Sequence, residues 1–111
     1  FVDGHREPFT AVAQPQITMG RQASDPNTAT AHIDLEPYSA FDKGVSRMHL
    51  TIRRVAKGFD VEDLDSANGT FVNGFSLAPH APHQLKNGDE LRLGDLRMHV
   101  YFLAETEVAE R

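Results

Sequence analysis

The 111 residues and 12.3 kDa suit one domain, and folding a chain of that length buries very roughly 65% of the surface its unfolded form exposes. Sixteen acidic residues against eleven Lys and Arg leave a formal net charge of −5, which opposes nonspecific attraction to nucleic acid or to an anionic membrane surface. The absence of cysteine excludes a disulfide framework and a thiolate metal site, and fits a reducing compartment such as the cytoplasm.

The chain begins with Phe1 rather than Met and is read as a fragment or processed form, so missing targeting signals say little about location. After a breaker at Asp3-Gly4, Ile17 alternates with Met19 in a strand that closes on Gly20-Arg21. Turn residues 24–27 follow, and then Ile33 and Leu35 alternate in a second strand. Residues 37–44 interrupt the strand pattern and carry Tyr38 and Phe41. This segment is expected to be a loop on the binding side, whose aromatics either pin it to the body or touch a ligand. Met48, Leu50 and Ile52 form the next alternation, and beyond Lys57-Gly58 come Phe59 and Val61. Thr70-Phe71-Val72 and Phe75-Ser76-Leu77 flank Asn73-Gly74, a pair that tolerates the positive φ of a tight primed hairpin turn. Breakers from Pro79 to Pro82 and at Asn87-Gly88 lead to Leu91 and Leu93, then to Gly94-Asp95. In the last strand Met98, Val100 and Phe102 oppose His99, Tyr101 and Leu103.

Short strands with a turn signal every ten residues or so predict an all-β sandwich or barrel. No stretch sustains a helical apolar period, and no apolar run approaches membrane-spanning length. From Thr106 the chain turns short, charged and aperiodic. One domain over residues 1–105 with a tail or linker at 106–111 is therefore expected.

Three polar signatures punctuate this pattern: Gly20-Arg21 at a strand end, Ser46-Arg47-Met48-His49, and Ser66-Ala67-Asn68-Gly69-Thr70 running into Phe71-Val72-Asn73-Gly74. In this order and spacing, from about Phe9 to Phe102, the chain resembles the forkhead-associated (FHA) domain. The resemblance implies a two-sheet antiparallel β-sandwich with binding loops at one end. It also implies recognition of phosphothreonine in a partner protein, within Ser/Thr kinase signalling. The family's first strand would precede Phe1-Val2, so one sheet edge is expected to be short.

A phosphothreonine carries about −1.5 to −2 charge and three strong acceptor oxygens, so its receptor needs convergent donors and a fixed cation. Arginine suits this because its planar fork can make parallel hydrogen bonds and stays charged. By the resemblance, Arg21 and Ser46 are phosphate ligands, Arg47 is a supporting contact, and Asn68 holds the peptide backbone. His49 would brace the serine loop, Gly20 and Gly69 would set backbone geometry, and Thr70 would join the loop's internal bonding. Many family members carry Ser or Thr where this chain has Ala67. One hydroxyl contact is missing, and a modest, micromolar site is expected.

The same residues also suggest other functions. Phosphate-independent association, including docking to other domains of the same parent protein, is the main alternative. A hydrolytic set of Ser46 and His49 with Asp42 or Asp63 lacks the strand, elbow and helix that would present a nucleophile, so no enzyme is expected. His80 and His83 form a close pair without a matching second pair, so neither metal nor cofactor is expected.

Overall fold

The computed structural model describes residues 2, 15–22 and 31–102. Among the described residues nine strands lie in two sheets. One has the order β2(Ala31–Asp34), β1(Gln16–Gly20), β3(Leu50–Val55), β4(Gly58–Asp63), β7(His83–Leu85); the other has β6(Phe75–Ser76), β5(Thr70–Val72), β8(Glu90–Leu93), β9(Leu96–His99). All pairings are antiparallel except β1 with β2, which run parallel. A single 3-10 turn at Glu36–Tyr38 interrupts the β pattern among the described residues.

The register explains the core. Ile17 stands opposite Ile52, which stands opposite Val61, and these three alternate with polar neighbours on the other face, of which Thr18 and Thr51 are themselves buried. From the facing sheet Val72, Leu91, Leu93, Leu96 and Met98 supply the other half, and Leu35, Leu50 and Leu91 are completely buried. At roughly 1.5–3 kcal/mol for each fully buried large apolar side chain, this cluster is the principal stabilising term. The next row of the first sheet reads Met19, Leu50, Asp63: a carboxylate, 2% exposed, sits in a core-facing register. That aspartate lies directly beneath the candidate site.

Several sequence expectations shift by a strand end. Met48 falls outside β3 and is 42% exposed, because the chain there turns to pair with the end of β1. β9 ends at His99, yet Phe102 still stacks on Phe59 with ring centres 4.6 Å apart. β7 lies where the prolines suggested only a loop; it is a short edge strand, the position in a sheet that tolerates flanking prolines. Val2 makes one bridge to Met98 and is buried, which covers part of the β9 edge. The breakers at 3–4 and 24–27 and the segment from 103 onward lie outside the described residues.

Asn73 (φ 50°) and Gly74 (φ 86°) both adopt the left-handed region, as a type I′ hairpin turn requires. The hairpin between β8 and β9 turns at Gly94-Asp95, where Gly94 N–H donates to Gly69 O and Asp95 N–H donates to Lys43 O. A side chain at Gly94 would strike the carbonyls of Lys43 and Gly44. Glycine there lets the β8–β9 turn wedge against the two site loops, so three loops meet at one end of the sandwich.

Candidate functional site

The site begins where β1 runs out. Beyond the formal strand, Arg21 N–H donates to Ser46 O (3.1 Å), Gln22 N–H to Arg47 O (3.3 Å) and His49 N–H to Met19 O (2.9 Å). This extension presses the Arg47 carbonyl onto Gly20 so closely that any Cβ would overlap it. Glycine is a packing requirement at this position. Arg21 and Ser46 are thereby adjacent through backbone pairing rather than through chance loop approach.

The Arg21 guanidinium is oriented from two sides. Its Nε donates to Val45 O at 3.0 Å, and its carbon lies 5.2 Å from the centre of the Phe41 ring. Among the described residues neither terminal nitrogen has a partner, so the fork's outer N–H groups are unused. Ser46 is similar: its Oγ accepts the Ala67 N–H at 3.0 Å, and the hydroxyl hydrogen has no acceptor among the described residues. Arg47 is exposed beside it.

Asn68 closes the other side. Its Nδ2 donates to Gly44 O at 2.9 Å, which ties the loop over residues 64–69 to the loop over residues 39–48, and among the described residues the amide oxygen has no partner. A side chain on Gly44 would collide with that amide.

His49 is completely buried between these loops. Its Nδ1 accepts the Ser46 N–H at 3.0 Å, which assigns the proton to Nε2, and Nε2 donates to Gly69 O at 2.9 Å. Burial holds its pKa below 6.5, against the opposing pull of the Gly69 carbonyl and the Asp63 charge. Both ring nitrogens are occupied by backbone. The nucleophile–base contact imagined for Ser46 Oγ and His49 is not made, and Asp63 bonds elsewhere.

Asp63, considered from the sequence only as part of a hydrolytic set, is instead an architectural residue of the site. Its Oδ1 accepts both the Ser66 hydroxyl (2.5 Å) and the Thr70 hydroxyl (2.6 Å), and its Oδ2 accepts the Ser66 N–H (3.1 Å). Ser66 Oγ in turn accepts the Gly69 N–H at 3.1 Å. Burial pushes the Asp63 pKa up, but the hydrogen bonds from Ser66 and Thr70 and the nearby His49 outweigh it and hold it below 3.8. The available signal was a carboxylate on an inward strand position three residues before Ser66 and seven before Thr70, spacings at which hydroxyls can cap it.

Tyr38 packs against the core, as a residue pinning the loop would, whereas Phe41 is 65% exposed beside Arg21. His80 and His83 are exposed; His80 Nδ1 lies 3.7 Å from a Glu62 oxygen, and no group of three metal-type ligands occurs among the described residues.

A β-sandwich with donor-bearing loops gathered at one end defines a class of modules that bind through loop tips. The FHA domain family model matches residues 17–94, and the chain belongs to that family. It is 47% identical over 62 residues to FhaA of Mycobacterium tuberculosis, covering 52% of this chain and 11% of FhaA. It is 40% identical over 57 residues to the oxoglutarate dehydrogenase inhibitor of Corynebacterium jeikeium, covering 51% of this chain and 38% of that protein. The matches span only 11–38% of the length of these curated relatives. Among solved structures, a domain from a study of phosphothreonine-dependent FHA domain interactions superposes with a TM-score of 0.67 and 27% identity over 93% of both chains.

Proposed function

We propose that this domain is a phosphothreonine-dependent recognition module for a partner protein or peptide in Ser/Thr kinase signalling. The observation that carries the proposal is the pattern of used and unused donors. Arg21 Nε and the Ser46 oxygen are held by Val45 O and the Ala67 N–H, while among the described residues the outer guanidinium N–H groups and the hydroxyl hydrogen have no partner. Groups already oriented lose little freedom on binding, so more of their interaction energy reaches the affinity. Arg47 stands ready as a second cation, and Asn68 offers its open amide oxygen to a peptide N–H. The phosphothreonine dependence named for the 27%-identical structural neighbour supports the same reading. His49, Gly20, Gly69 and Thr70 serve as architecture in this scheme, and no catalytic residue is assigned.

Affinity on the order of micromolar is expected from several charge-assisted bonds offset by ordering of a flexible peptide. Calorimetric titration with a degenerate phosphothreonine library tests it. Binding that disappears in Arg21→Ala supports the proposal, and equal binding of the unphosphorylated library refutes it.

A further inference from the structure

Immediately beyond Asn68 the surface turns onto the outward face of the four-stranded sheet, and its first row is basic. Phe71, Arg92 and Arg97 stand directly opposite one another across β5, β8 and β9. The continuity with the site is close: a Cβ at Gly69 would touch the Phe71 ring, and Gly94 N–H donates to Gly69 O. Arg92 lies over the Phe71 ring, 3.8 Å from its centre, and donates to Gly94 O at 2.9 Å.

Two guanidiniums paired directly across a ladder repel one another, and they do so here in a chain of net charge −5. Internal neutralisation is slight. Asp95, 85% exposed, stands 4.0 Å from Arg92, at the limit of an ion pair, and Glu90 lies in the next row opposite His99. Among the described residues no ion pair involves Arg97, which is exposed.

We infer that Phe71, Arg92 and Arg97 form a second contact surface that reads acidic side chains of the bound phosphopeptide on the Asn68 side of the phosphothreonine. The occupant follows from charge complementarity: carboxylates cancel the cross-strand repulsion, and the chain carrying them is already at Asn68. Phe71 holds Arg92 flat on the sheet, so this guanidinium is presented with little loss of freedom. Arg97 supplies the adaptable second charge. The inference rests on the phosphothreonine reading and adds a sequence preference to it.

The test uses three peptides around one phosphothreonine: glutamate at the flanking positions, alanine at the same positions, and the glutamate peptide without phosphate. Fluorescence anisotropy is read with the wild-type domain, Arg97→Ala and Arg92→Gln/Arg97→Ala, after circular dichroism has verified the fold of each. Two exposed ion pairs predict that the wild type prefers the glutamate phosphopeptide by about fivefold. That ratio is expected to drop to about two in Arg97→Ala and about one in the double variant, with the alanine phosphopeptide bound equally by the wild type and Arg97→Ala. A wild-type ratio near one, or a fivefold ratio that survives in Arg97→Ala, overturns the acidic-flank reading alone. Failure of the wild type to bind either phosphopeptide overturns this inference and the phosphothreonine proposal together.

Discussion

Replacing Asp63 with asparagine tests the architecture beneath the site. The carboxylate is 2% exposed, in register with Met19 and Leu50, and accepts three hydrogen bonds from Ser66 and Thr70. An amide has the same shape but only one acceptor oxygen. If that oxygen keeps the two hydroxyls, the amide nitrogen faces the Ser66 N–H, donor against donor; the flipped orientation withdraws the shared acceptor from both hydroxyls. Either way at least one bond to a charged acceptor, worth about 1.5–3 kcal/mol, is lost. Asparagine is cheaper to bury than a charge, which works in the opposite direction. Hydrogen bonding holds the Asp63 pKa down despite burial, so a net loss remains, about 1–3 kcal/mol. For a domain of this size the melting temperature should fall by roughly 5–15 °C, read by circular dichroism at pH 7. Phosphopeptide affinity should fall with it, because Ser66 fixes the loop that delivers the Ala67 N–H to Ser46. A melting temperature within about 3 °C of wild type would show that the network does not hold the loop.

Acid should weaken the fold in two stages. A His49 pKa below 6.5 means that the unfolded chain binds the proton first, so stability present above pH 6.5 is lost as pH falls from there towards the folded value. Asp63 contributes stability above pH 3.8 that is lost as pH falls through its lower folded pKa. Melting curves of wild type and His49→Ala between pH 7.5 and 5 isolate the first stage: the variant should be less stable at pH 7.5, and its pH slope shallower. Parallel slopes would remove His49 from the account, and unchanged stability with lost binding would make it a direct ligand. Ala67→Ser restores a hydroxyl beside the Ser46 contact and should tighten phosphothreonine binding about three- to tenfold, measured by titration calorimetry. No change in affinity would mean that this position does not face the ligand.

The sheet layout was largely legible because it rests on local signals. Period-two alternation marks Ile17 and Met19 or Leu91 and Leu93 wherever one strand face is buried, and Asn73-Gly74 announces its turn by backbone geometry alone. The short edge strand β7 was illegible because its residues pair only with β4 and two of its three side chains are exposed, so burial imposes no pattern on them. At the site, the family resemblance carried by the motifs named Arg21, Ser46, His49 and Asn68, and the structure brings all four to one tip. What spacing could not convey is which donors are already occupied. That depends on the carbonyls of Gly44, Val45 and Gly69, and backbone acceptors leave no trace in side-chain identity. The architectural role of Asp63, named in the sequence only as a possible hydrolytic partner, was hidden for a related reason: only tertiary register turns it inward beneath the Ser66 and Thr70 hydroxyls.

The acidity of the whole chain and the basicity of its tip are compatible because they act over different distances. At physiological ionic strength charges are screened beyond about 8 Å, so carboxylates elsewhere on the sandwich scarcely oppose a phosphate once it has arrived. Near contact, two unit charges 4 Å apart at an intermediate effective dielectric interact by about 4 kcal/mol, which makes the identity of the nearest groups decisive. Arg21 is half-buried and held by Val45 O, whereas Arg97 is exposed and unanchored. Added salt should therefore weaken the acidic-flank preference before it weakens the phosphate contact. The long-range field still matters to encounter, since a net charge of −5 slows the approach of an acidic peptide. On the acidic-flank proposal, the basic row beside the site would offset that repulsion where the peptide lands.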